Sequence, residues 1–138
     1  MPLTADRDIA TLLQDARTVA MIGASNRPDR ASNGVMRFLQ LHGFRVIPVN
    51  PAHAGEEING VSTVASLSDI AEPIDIVDIF RNPEDAGVAV DEAIAAKAGA
   101  VWLQLGVINE AAAARAEAAG LKVVMDRCPK IEYARLGL

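Results

Sequence analysis

The sequence predicts one α/β domain over residues 1–138, built on an open, mostly parallel sheet of about five strands with helices on both faces. Three observations predict it. Short apolar runs alternate with helix-length amphipathic stretches along the whole chain. Those runs are continuously apolar and do not alternate with polar residues, which is the pattern of strands buried on both faces. The composition, 138 residues with 51% hydrophobic and 22% charged, suits one globular core that buries about two-thirds of the unfolded surface.

Ile9, Leu12, Leu13 and Ala16 recur at helical spacing and predict an amphipathic helix over 6–16, capped by Thr4 or Asp6. The apolar run 19–22 stops at Gly23 and reads as the first strand. Val35, Phe38, Leu39 and His42 then keep helical spacing up to Gly43. Residues 44–49 form a second strand, stopped by Asn50-Pro51. The stretch 52–68 contains Gly55, Gly60 and a short Val61-Ser-Thr-Val that reads as an edge strand, and Ser66 or Ser68 opens a short helix ending before Pro73. Residues 74–80 are a buried strand. Asn82 follows as helix cap and Pro83 as first helical residue, with Glu84 and Asp85 favouring the helix dipole. That helix runs through Val88 and Ile94 to Lys97-Ala-Gly99. A strand over 100–105, a helix over 109–119 ended by Gly120, a last strand over 121–125 and a short helix over 128–136 complete the chain.

In open parallel sheets, ligands bind beyond the carboxyl ends of the strands, where strand order reverses. The residues just after each strand are Gly23-Ala24-Ser25, Asn50-Pro51, Phe80-Arg81-Asn82, Gln104-Leu105-Gly106 and Asp126-Arg127-Cys128. The first loop is the most informative. A strand feeding a helix through small residues aims backbone N–H groups and the positive end of the helix dipole at one point, which suits an anion, usually phosphate. Ser25, Asn26, Ser32 and Asn33 add hydroxyl and amide groups there, and Arg27 and Arg30 are interleaved with them. Ser32 and Asn33 read equally as caps of the helix that follows.

The net charge of −5 argues against nucleic acid as a partner. It is unevenly spread: residues 23–48 hold four arginines and one acid, hence +3, leaving −8 elsewhere. A locally basic loop on an acidic chain is the pattern for a small anion. No apolar run approaches the roughly 18 residues of a membrane span. A single cysteine, Cys128, excludes an internal disulfide, and the first residues carry no secretory signature, so the expected compartment is the cytoplasm.

A dinucleotide fingerprint requires Gly-x-Gly-x-x-Gly after the first strand and an acid at the end of the second. The chain has Gly23-Ala-Ser-Asn-Arg-Pro and Asn50-Pro51, so an NAD-type site fails at both positions. The lysine of a nucleoside-triphosphate loop is also absent.

Ile22-Gly-Ala-Ser25 with Asn-Arg-Pro-Asp-Arg-x-Ser32, then Val46-Ile-Pro-Val-Asn-Pro51, Val77-Asp-Ile-Phe-Arg81, Trp102-Leu-Gln-Leu-Gly106 and Met125-Asp-Arg-Cys-Pro129 together resemble the small stand-alone CoA-binding proteins. These are similar to the N-terminal domain of the succinyl-CoA synthetase alpha subunit. The resemblance covers residues 15–136 in five motifs. It implies a Rossmann-like fold that binds coenzyme A or an acyl-CoA, with Gly23, Ala24 and Ser25 at the pyrophosphate. By the same resemblance Arg27, Arg30 and Ser32 serve the phosphates, and Asn50, Pro51, Phe80 and Arg81 line the nucleotide site. The synthetase's phosphohistidine lies outside this domain, and neither His42 nor His53 matches it.

Plainer readings stand beside these. Trp102 reads as core and not as a stacking platform. Gln104 and Asp126 read as satisfying loop amides. Cys128 reads as a small buried residue, with a reactive thiol beside Arg127 and Lys130 as the alternative. Asp75 with Asp78, and Glu84 with Asp85, form no acid–base or metal set. The resulting expectation is a CoA-binding domain without catalysis of its own. An acyl-CoA or redox enzyme using Cys128, or a CoA-loaded module acting on a protein partner, are the alternatives. Gly23→Val is expected to abolish ligand binding and leave the fold intact.

Overall fold

A computed structural model describes all residues 1–138. The main sheet contains β1 (Thr18–Ile22), β2 (Arg45–Val49), β5 (Ile76–Ile79), β6 (Ala100–Leu103) and β7 (Lys122–Val124), all parallel, in the order β2-β1-β5-β6-β7. The order reverses between β1 and β5. The fold is therefore the doubly wound, Rossmann-like α/β type, with helices on both faces.

Burial follows from the apolar runs. Val77, Ile79, Val101 and Leu103 face one side, under α3 (Pro83–Ala95) and α4 (Glu110–Ala118). The alanines along both helices, such as Ala89, Ala93, Ala112 and Ala116, let them approach the sheet closely. Val19, Met21, Ile76 and Trp102 face the other side, under α1 (Asp6–Asp15), α2 (Ala31–Leu41) and α5 (Pro129–Arg135). Trp102 is fully enclosed, and its indole N–H donates to the Arg127 carbonyl at 2.8 Å, so it belongs to the core. Asn82 and Asn109 cap α3 and α4, each accepting the backbone N–H three residues on, at 2.8 and 3.0 Å.

Four local expectations are corrected. Ala5, with no capping side chain, precedes α1, so neither Thr4 nor Asp6 caps it. α2 begins at Ala31 with Arg30 before it, so Ser32 and Asn33 lie inside its first turn and cap nothing. Val61-Ser62 is half of a hairpin, β3 (Glu57–Ile58) with β4 (Val61–Ser62), set apart from the main sheet, which it touches by one bridge between Val64 and Val49. Its turn is Asn59-Gly60, both at positive φ (49° and 82°), a pair suited to a tight two-residue reversal. The helix expected after Ser66 is one 3-10 turn, Leu67–Asp69, in which the Asp69 carboxylate accepts the Ser66 N–H at 3.2 Å. Ile70 leaves it in extended conformation, and Pro73 bars helix at the residue before it.

The chain ends are tied by ions. Glu132, 5% exposed, accepts from Arg127 at 2.6 Å and Arg135 at 2.9 Å, and Arg135 also reaches Asp6 at 2.8 Å. The Arg135 guanidinium, then Arg127, hold the Glu132 carboxyl below its usual range against the opposing effect of burial. A depressed carboxyl contributes stability above its unfolded pKa and loses it as pH falls through the folded one. Glu132→Gln should therefore lose about 1–3 kcal/mol at neutral pH, since both arginines are partly solvated. In urea unfolding the deficit should shrink in acid; a pH-independent deficit would refute the ionic account.

Candidate functional site

At the strand-order reversal β1 is followed directly by Gly23 and β5 by Phe80. Gly23 has φ +85°, and a Cβ built on it would stand 2.1 Å from the Phe80 carbonyl oxygen. Its N–H is held by Val49 O at 3.0 Å, and the Phe80 N–H by Ile22 O at 2.9 Å. The glycine is demanded by the packing of two strand ends. The expectation that it is a surface position where a side chain would only displace ligand is thereby overturned.

The loop from Gly23 to α2 is fixed by distant amides. Asn50 Nδ2 donates to Ala24 O at 2.9 Å while its Oδ1 accepts from Ala52 N at 3.0 Å. Asn33, 2% exposed, donates to Ser25 O at 2.9 Å and accepts from Arg37 at 2.9 Å. Ser25 Oγ accepts the Arg27 N–H at 3.2 Å, a local turn that points the loop outward. The start of α2 has no acidic residue and no side-chain cap, so its dipole faces the open cleft unneutralised.

This cleft has a volume of about 590 Å³, within the range of small-ligand sites. Of the residues singled out in the sequence, Gly23, Ala24, Ser25, Arg27, Arg30 and Ser32 line it on the α2 side. Asn50, Phe80, Arg81 and Gln104 line it across the reversal. Three are not on its wall. Asn33 sits behind the loop as its brace. Pro51 opens a 3-10 turn and faces solvent. Gly106 is exposed, its N–H held at 2.7 Å by Asp126, which does satisfy a loop amide as expected.

His53 and Asn82 also line the cleft, and no aspartate or glutamate does, although the His53 ring nitrogen lies 3.0 Å from the Glu56 carboxylate behind it. Arg27 pairs only with exposed Asp29 at 3.2 Å, and Arg30 and Arg81 form no ion pair. Of the acids, Asp75 lies at the opposite end of the sheet, where its carboxylate accepts the Arg17 and Thr18 N–H groups at 2.8 and 2.9 Å.

Two further residues bear on the site. Asp78, dismissed in the sequence, is fully enclosed in β5, and burial pushes its carboxyl well above the usual range despite the Ile79 N–H that opposes this. Its partner is the amide of Gln104, 2.8 and 3.2 Å from its two oxygens, so Gln104 satisfies a carboxyl and not a loop amide. The signal was available: an acid inside an otherwise apolar strand is buried and must be partnered. Cys128 is 6% exposed and lines a second groove of about 450 Å³ with Leu105, Met125 and Ile131. Leu105 belongs to both the groove and the cleft.

No helix is long and apolar enough to cross a membrane. Among known proteins, YneT of Bacillus subtilis (strain 168) is 39% identical over 127 residues, 92% of this chain and 93% of that protein. The structure of cell-free ID.343 from Thermus thermophilus superposes with a TM-score of 0.92 at 41% identity, covering 96% of this chain and 99% of that one. A protein from Pyrococcus horikoshii OT3 superposes with the same TM-score, 0.92, at 38% identity, over 99% and 96% of the two chains. A family model described as a CoA binding domain matches residues 17–134, nearly the whole chain. With the doubly wound sheet and the cationic cleft at its reversal, this places the protein in the CoA-binding domain family.

Proposed function

We propose that the cleft binds coenzyme A or an acyl-CoA, and we assign no catalytic residue. The observation that carries this reading is the charge of the wall: Arg27, Arg30 and Arg81, no carboxylate on the wall itself, and an uncapped helix start beside them. Such a wall suits a ligand with several phosphates. Membership of the CoA-binding domain family supports coenzyme A over other phosphorylated nucleotides. The pyrophosphate lies against Gly23, Ala24, Ser25 and the start of α2, where Ser32 stands. Asn50, Phe80 and Arg81 form the nucleotide side. The groove beyond Leu105 gives an elongated ligand room for its pantetheine arm.

The 3′-phosphate is read by Arg27 or Arg30, the two loop arginines on the rim. A charge-assisted hydrogen bond contributes roughly 1.5–3 kcal/mol, about a 10- to 150-fold change in dissociation constant. Calorimetry should show dephospho-CoA binding weaker than CoA by that order, and Arg27→Ala or Arg30→Ala should abolish the difference. Equal affinities in wild type and both variants would remove the 3′-phosphate from this loop. Failure of wild type to bind either ligand would refute the CoA reading itself.

A further inference from the structure

Asp78 and Gln104 form a polar pair whose inner member is sealed in the sheet and whose outer member is a wall of the cleft. Asp78 is 0% exposed, flanked in register by Met21 of β1 and Trp102 of β6. It makes no ion pair, and its one side-chain partner is the Gln104 amide. Other ionisable groups buried on that side of the sheet are Cys128 and Glu132, the latter closed by Arg127 and Arg135. Those on α1 (Asp6, Arg7, Asp8, Asp15) and α2 (Arg37, and His42 at its end) are exposed, as are Lys130 and Arg135 on α5, where Tyr133 is half-buried.

Two arrangements satisfy the contact. With Asp78 ionised, the Gln104 nitrogen donates to Oδ1 and Oδ2 at 2.8 and 3.2 Å, and its carbonyl oxygen faces outward. With Asp78 protonated, its O–H donates to the Gln104 oxygen, and the NH2 group faces outward. The outer end of the amide meets only donors. In the protonated arrangement the NH2 and those donors therefore converge, and an acceptor oxygen of a ligand completes the set. A full charge sealed in the sheet with one amide and one N–H for company is costly, which favours the protonated arrangement, whereas the donors at the outer end favour the ionised one, so an acceptor placed among those donors tips the balance.

We propose that Asp78 is a positioning residue whose proton sets which end of the Gln104 amide faces the cleft, so that an anionic ligand binds together with uptake of a proton onto Asp78. The ligand's identity rests on the CoA reading; the coupling of Asp78 to Gln104 does not. A ligand that selects the protonated form has constant affinity below the Asp78 midpoint of the free protein. Above it, affinity falls by up to about tenfold per unit of pH.

The test has two arms. In the first, CoA is titrated into wild type and Asp78→Asn across a pH series, in buffers of different ionisation enthalpy. The asparagine can donate to the Gln104 oxygen and has no proton to gain or lose, so the variant should lose the decline with pH and take up fewer protons on binding. Titration of CoA's own phosphates is common to both proteins and cancels. Identical pH profiles in the two would overturn the proposal. In the second arm, the Gln104 side-chain NH2 resonances of ligand-free wild type are followed with pH beside the Asp78 carboxyl carbon. They should move with one midpoint, and an NH2 signal indifferent to Asp78 would overturn the coupling even where the variant fails to fold. If wild type binds no CoA while the two signals move together, the ligand assignment fails and the pair stands.

Discussion

Gly23→Ala will unfold or severely destabilise the protein before its effect on any ligand can be read. The added Cβ would lie 2.1 Å from the Phe80 oxygen and 3.0 Å from its carbonyl carbon, both backbone atoms that cannot rotate away. Neither strand end is free to yield, because Gly23 is bonded to Val49 on β2 and Phe80 to Ile22 on β1. Relief requires opening the β1–β5 ladder at its carboxyl end. The left-handed backbone adds roughly 1–2 kcal/mol for any residue with a Cβ. With the overlap included, the loss should reach about 3–5 kcal/mol, a large fraction of the roughly 5–15 kcal/mol of a typical domain. Urea unfolding with an amide fingerprint spectrum would check it. A variant with wild-type midpoint and spectrum that has lost only CoA would restore the view of Gly23 as a surface residue facing the ligand.

The position of Gly23 was legible in the sequence, and the reason for it was not. A glycine after an apolar run marks a loop, but only the register of β1 against β5, whose partners such as Ile22 and Ile79 are 57 residues apart in sequence, shows which backbone it must clear. The same division holds elsewhere. Asn82-Pro83 and Asn109 announce helix starts through contacts three residues away, and the structure has both caps. Asn33 and Asn50 looked like local features, yet each spends its side-chain NH2 on a loop carbonyl, 8 and 26 residues distant. Asn59-Gly60 is a hairpin signal that the polar surroundings of 52–68 obscured. Asp75 and Asp78 were weighed as a pair, although residues three apart in a strand point to opposite faces. Taken singly, one ties the start of β1 and the other stands behind the cleft. The strands and the cluster of polar residues at their ends could be read because they depend on local pattern; the bracing could not, because it is tertiary.

Asn50→Asp tests that bracing directly. From charge alone, an acid here would repel a phosphate near the ribose and spare NAD, whose ribose offers hydroxyls. The structure gives the side chain another task. Its NH2 holds the Ala24 carbonyl at 2.9 Å and its oxygen holds Ala52 N–H at 3.0 Å, joining the phosphate-facing loop to the end of β2. Aspartate keeps the second contact and replaces the first by a carboxylate set against a carbonyl oxygen. Leaving that carbonyl facing a repelling partner costs about 1–3 kcal/mol, so the Ala24–Ser25 segment should turn away from its seat. Any ligand that uses its N–H groups should then weaken by about 5- to 150-fold, whatever its ribose carries. The charge account predicts selective loss of CoA, whereas the latch account predicts loss of CoA and of any residual NAD binding together. Asn50→Ala separates them further, because it removes the latch without adding charge and should reproduce most of the loss. Calorimetry with both ligands on wild type and the two variants decides the matter. CoA affinity unchanged in Asn50→Ala would show that Asn50 does not hold the loop for binding.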